Sequence, residues 1–72
     1  MTRRYLIVVE KADGNYSAYS PDIPGCVAVG DTPKEVLRNM REAIEFHVQS
    51  LVEDKLPVPE PRTKAEYIAL EA

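Results

Sequence analysis

Residues 20–35 read SPDIPGCVAVGDTPKE, and how that stretch is parsed decides the fold. It holds Pro21, Pro24 and Pro33, Gly25 and Gly30, Asp22 and Asp31, and the only cysteine of the chain, Cys26. Such a cluster marks either a reactive site or a backbone that turns twice in a short distance. The second reading accounts for every residue. Pro21–Gly25 form a five-residue loop that ends in glycine, with Asp22 placed to bond the backbone two residues on. Cys26–Val29 are small and β-branched and read as a strand over 26–29. Gly30-Asp31 end it. Thr32-Pro33-Lys34-Glu35 is then a compact helix start, with Thr32 as N-cap, Pro33 at the first helical position and Glu35 able to close a capping box onto Thr32.

On the C-terminal side the periodicity continues as a helix from 33 to about 54. Val36, Leu37, Met40, Ala43, Ile44, Val48, Leu51 and Val52 recur at three- and four-residue spacing, the pattern of one buried face. LPVPEP, residues 56–61, has a proline at every second position, so it is an extended connector that no helix survives. In EYIALEA, residues 66–72, Ala, Leu and Glu favour helix while Tyr67-Ile68 favour strand; a last strand over about 66–71, joining the sheet beside an earlier strand, is the preferred reading. On the N-terminal side, YLIVVE reads as a strand over 5–10 and YSAYS as another over 16–20. Asp13-Gly14-Asn15 between them is a strong hairpin signal. The fold class is α+β, in the order β-β-β-α-β, an antiparallel sheet with one helix packed on one face.

One helix leaves one sheet face uncovered, and a solvated face should alternate with polar residues. YLIVV and CVAV are instead apolar at both parities. With Leu6, Val8, Cys26 and Ala28 turned to the helix, Tyr5, Ile7, Val9, Val27 and Val29 form a large apolar surface of the kind that meets a partner. A slip of one residue would exchange the two sets. Phe46 stands nine residues after Leu37, about 180° round the helix, and therefore on its polar side. These six, Tyr5, Ile7, Val9, Val27, Val29 and Phe46, are the candidate partner or oligomer interface.

Composition narrows the function classes. Seventy-two residues make a single domain over 1–72, with a core that contributes only about 3–5 kcal/mol net. One cysteine excludes an internal disulfide, and one cysteine with one histidine falls short of a structural zinc site. Association is the remaining route to stability, so a homo-oligomer, dimer or tetramer, is expected. No targeting segment or apolar run of membrane-spanning length is present, which suits a cytoplasmic protein with a reduced thiol. A net charge of −3 weighs against binding nucleic acid and is compatible with a basic protein partner.

Cys26 with His47 would make a nucleophile and base only with contact, an orienting third group and an electropositive pocket. The sequence supplies none of these, so Cys26 reads as a small core residue and His47 as a partly buried one at the edge of the helix stripe. Asp13, Asp22 and Asp31 each sit at a turn or cap and read as structural. No phosphate loop or Cys-x-x-Cys pair is present. The expectation is a protein that is not an enzyme, with no catalytic, metal or cofactor residues.

The stretch YSAYSPDIPGCVAVGDTPKE, followed by REAIEFHVQSLVEDKLPVPEP, resembles the HicB-like antitoxin family. The likeness lies in the order Tyr-x-Ala, Asp-x-Pro-Gly-Cys, Gly-Asp-Thr and Glu, then the proline segment, and covers about Tyr5 to Pro61. The resemblance implies a truncated ribonuclease H-like fold of a three-stranded meander, a helix and a further strand, without the catalytic carboxylates of a ribonuclease H. It also implies the function: binding and neutralising a small basic HicA-type toxin that cleaves mRNA, by occlusion. Many members of that family add a C-terminal helix-turn-helix or ribbon-helix-helix module that binds operator DNA. The eleven residues after Pro61 are too few for one, so a short member without DNA binding is expected. The competing reading is a solitary oligomeric domain that binds nucleic acid or a ligand without a toxin partner, with Tyr5, Tyr16 and Tyr19 stacking bases.

Overall fold

The structure is a computed structural model and describes residues 2–71. The Asp13-Gly14 dipeptide joins β1 (Val8–Ala12) to β2 (Asn15–Tyr19), and the two pair antiparallel from Val8↔Tyr19 to Ala12↔Asn15. Strand β3 (Val27–Gly30) pairs antiparallel with β2 from Tyr19↔Val27 to Tyr16↔Gly30. The sheet order is β1-β2-β3, and the chain then enters α1 (Pro33–Glu53). Three antiparallel strands followed by one helix confirm the α+β reading.

The helix is fixed at both ends. At its start, Thr32 Oγ1 accepts the Glu35 N–H at 3.0 Å, an arrangement worth about 1 kcal/mol. The Glu35 carboxylate reaches back to the Asp31 N–H at 3.3 Å, one residue earlier than a capping box onto Thr32. At its end the Leu56 N–H reaches the Leu51 carbonyl at 2.8 Å and the Lys55 N–H the Val52 carbonyl at 3.1 Å. With Lys55 at φ 58°, this is a Schellman motif with lysine where glycine is usual.

The core lies between α1 and the facing side of the sheet. Ala18, Ile23, Cys26, Val36 and Met40 are buried, with Tyr5, Ile7, Tyr16, Ala28 and Ile44 packed around them. Ile23 comes from the PDIPG loop and plugs the core from one end. Turn hydrogen bonds hold it, from the Ile23 N–H to the Ser20 carbonyl and from the Cys26 N–H to the Ile23 carbonyl, each 3.2 Å. Gly25, at φ +85°, closes the loop in a conformation that favours glycine.

Three expectations change. The first strand covers 8–12, where 5–10 was expected, because β2 ends at Tyr19 and Tyr19 pairs with Val8. Residues 5–7 therefore overhang the ladder. The parity within that strand is also reversed. The row Val9↔Ala18↔Ala28 shares one face, since directly opposed residues point to the same side. Tyr5, Ile7 and Val9 thus belong to the helix side, and Leu6 and Val8 to the outer side. Finally, residues 57–71 contain neither helix nor strand, so the last strand expected over 66–71 is not formed within the chain. The proline segment leads away from α1 and is pinned across the end of the sheet, and Tyr67, Ile68 and Leu70 are left largely exposed.

Candidate protein-binding interface

The outer sheet face is built by register. Val8, Tyr19 and Val27 lie in one row across all three strands, and Glu10, Ser17 and Val29 in the next. Val27 and Val29 are 69% and 62% exposed, and Tyr19 is also exposed. One apolar row, Val8, Tyr19 and Val27, and Val29 in the next row beside Ser17 and Glu10 form an uncovered patch of the kind that marks a protein contact. The adjoining loop turns back at Ser20, whose hydroxyl donates to the Leu6 carbonyl at 3.0 Å, and this keeps the overhanging residues 5–7 in line with the sheet.

The six residues singled out from the sequence are not one patch. Val27 and Val29 sit on the outer sheet face. Phe46 is 74% exposed on α1, about 80–120° round the helix from the buried Val36 and Met40 and flanked by Glu42 and Glu45. Glu45 is bonded to Arg41 at 3.0 Å. Tyr5 and Ile7 pack on the core, and Val9 lies on the helix side of β1. The Tyr5 hydroxyl donates to the Pro59 carbonyl at 2.6 Å, which makes Tyr5 an anchor for the proline segment. Tyr16 packs on the core as well, so of the three tyrosines considered for base stacking only Tyr19 presents its ring on the outer face.

The other candidate groups are structural. Cys26 is buried, burial pushes its thiol pKa up, and its sulfur lies 3.9 Å from the Ala43 carbonyl. That is the environment of an inert core thiol. Asp22 has a role the sequence did not disclose. Its Oδ2 accepts the Arg62 and Thr63 N–H groups, both at 2.9 Å, and its Oδ1 accepts the Thr63 hydroxyl at 2.7 Å. The Thr63 N–H, the Thr63 hydroxyl and then the Arg62 N–H hold the carboxyl below its ordinary value of 3.8. An Asx turn was the available local signal; partners forty residues away leave none. Leu6, Val8 and Tyr19 were missed as outer-face residues because only the register assigns them. Among the described residues, no group of three or more His, Cys, Asp or Glu side chains could hold a metal ion, and no helix is long and apolar enough to cross a membrane.

Comparison with known proteins defines the class. Residues 5–71 match the sequence profile of the HicB_like antitoxin of bacterial toxin-antitoxin systems. The chain belongs to this family. A UPF0150 protein of Synechocystis sp. is 43% identical over 56 residues, 76% of this chain and 71% of that protein. A UPF0150 protein of Thermoplasma acidophilum is 37% identical over 70 residues, 96% of this chain and 99% of that one. A 14.9 kDa protein of the rep-hol intergenic region of Haemophilus phage HP1 is 39% identical over 64 residues. The match takes in 89% of this chain but only 48% of the phage protein, so this chain spans about half of that relative's length. Among solved structures, a chain of the HicA3 and HicB3 toxin-antitoxin complex is similar, with a TM-score of 0.70, 32% identity, and coverage of 83% of this chain and 70% of that one.

Proposed function

We propose that this protein neutralises a small basic toxin of the HicA type by binding it and occluding its mRNA-cleaving site, with no chemistry of its own. The observation that carries this reading is the likeness, at 32% identity, to a chain of a HicA3 and HicB3 complex, within a family of antitoxins. The outer sheet face is the surface we assign to the toxin. Val27, Val29 and Tyr19 supply apolar area, and Glu10 with the net charge of −3 supplies the sign that steers a basic partner. The protein works in the cytoplasm and associates with itself. The nucleic-acid reading is disfavoured, because two of its three stacking tyrosines face the core.

The test is co-expression with the product of the adjacent small basic reading frame. Relief of growth arrest together with a co-purifying complex is expected. A neighbouring toxin that arrests growth whether or not this protein is present, with no complex recovered, overturns the reading.

A further inference from the structure

The residues after Ala65 are at odds with a finished monomer. Tyr67 is fully exposed, and Ile68 and Leu70 are 84% and 86% exposed. Three large apolar side chains in six residues are thus almost wholly in solvent. The radius of gyration is 14.1 Å, against about 11 Å for a compact chain of this length, so the segment projects from the body. It does so from a fixed point, since Asp22 holds Arg62 and Thr63 through three hydrogen bonds.

The body has a vacancy of matching character. Helix α1 packs over β3 and β2 and leans away from β1. An open groove of about 250 Å³ remains, lined by Tyr5, Ile7, Leu37, Arg41, Ile44 and Glu45. It flanks the overhanging residues 5–7, which continue the edge strand β1. The opposite edge is less available, because the Val29 carbonyl of β3 already accepts the Asn39 amide at 2.8 Å.

We infer that residues 66–71 of one copy add as a strand beside residues 5–9 of a second copy, with the exchange reciprocated. Alternation then places Ile68 and Leu70 on the helix side, in the groove between Tyr5 and Ile7 and the helix residues Leu37 and Ile44. Tyr67 and Ala69 fall on the outer side next to Leu6 and Val8. Glu66 and Glu71 bracket the apolar run and stay at the solvent edge, because Arg41 at the groove rim is already paired with Glu45 at 3.0 Å. Each copy supplies both the segment and the groove, so the interface is self-complementary and closes at two. Three such side chains offer on the order of 500 Å² per copy. With the surfaces they cover, both copies together reach on the order of 2,000 Å², the range of a stable dimer.

The inference rests on the self-association proposed above, and one set of measurements separates the two. Light scattering of the full chain at tens of micromolar is expected to give twice the 8.1 kDa chain mass. The double variant Ile68→Glu/Leu70→Glu is expected to give the monomer mass with the helical far-UV circular dichroism signal retained and only the strand contribution of the exchanged segment lost, since both side chains are largely exposed on their own chain. A thiol cross-linker added to a mixture of Leu37→Cys and Leu70→Cys chains is expected to give a covalent dimer carrying one of each. A wild-type monomer removes both the association and the exchange. A dimer that persists in the glutamate variant, or a cross-link that forms within a Leu37→Cys/Leu70→Cys chain in place of between chains, overturns the exchange and leaves self-association standing.

Discussion

Strand β3 inverts the usual order of side-chain size between the two faces of the sheet. Toward the helix β3 carries Ala28 and Gly30, with Cys26 just before it, while toward solvent it carries Val27 and Val29; the large inner residues Tyr5, Ile7 and Tyr16 come from β2 and the lead into β1. The small inner residues follow from close approach. A Cβ on Gly30 would lie 2.6 Å from the Val36 backbone nitrogen and 2.9 Å from its Cα. The backbones of β3 and α1 therefore nearly touch, and the core volume comes from Met40, Val36 and Ile23. The outer residues Val27 and Val29 have no such role within the chain and stand exposed.

The comparison breaks most readily at Gly30. In Gly30→Ala the added methyl meets main-chain atoms, which have no rotamer by which to yield, so strand and helix must separate. A loss of about 1–3 kcal/mol is expected, a large share of what so small a domain holds. Urea denaturation followed by circular dichroism checks it, and an unchanged midpoint would show that the two backbones have room to spare.

The outer face should respond the opposite way. Val27→Glu/Val29→Glu is expected to alter the urea midpoint by no more than about 0.5 kcal/mol per site, as for ordinary surface changes. It should weaken binding to a basic toxin by about 2 kcal/mol or more if these residues lie at the centre of the contact. Calorimetric titration against the co-purified partner reads this directly. Equal affinity for the variant and the parent would move the toxin site elsewhere, with the exposed Phe46 next in line.

This contrast also marks how much was legible beforehand. The Asp13-Gly14 turn, the Thr32-Pro33 helix start and the 36–52 stripe were all readable because each is local, and each stands within a residue or two of where the sequence put it. Facing was not local. The parity of Tyr5, Ile7 and Val9 depends on which residue of β2 stands opposite Val9, and both parities of that strand are apolar. Val27 and Val29 do lie on the outer face, but for β3 too only the register decides it. The Asp22 clamp was invisible for a related reason: a carboxylate after a proline has a sufficient local explanation, and nothing in the sequence reports that its acceptors are filled from residues 62 and 63.

That clamp sharpens the comparison, because it holds a segment in place by charge-assisted hydrogen bonds with no share in the packed core. Bonding to Thr63 and Arg62 depresses the folded pKa of Asp22 below 3.8. A carboxylate whose folded pKa is lowered adds stability above its unfolded value and loses it as pH falls through the folded one. Residues 59–63 should therefore stay docked at neutral pH and loosen only in acid below about pH 4, before the sheet and helix unfold. Amide exchange at Arg62 and Thr63 over a pH series is the measurement, and Asp22→Asn should show the loosened state at pH 7. Continued protection of the Glu60, Arg62 and Thr63 amides in that variant would mean that the Tyr5 hydroxyl on Pro59 suffices to hold the segment.

The smallest effect is expected where α1 runs past the sheet. Val52 and Leu56 are exposed there, so the last turn owes its form to the Schellman bonds more than to packing on the inner face. Lys55 adopts φ 58° to close them, a conformation that costs a residue with a Cβ about 1 kcal/mol or more. Lys55→Gly removes that strain but gives the unfolded chain more freedom, so the net gain should be about 0.5 kcal/mol. A rise in the urea midpoint with an unchanged slope would show that the turn is formed in the native state and limited only by its backbone. A fall would mean that the lysine stem covers Val52 or Leu56, and that the helix end has a packed side after all.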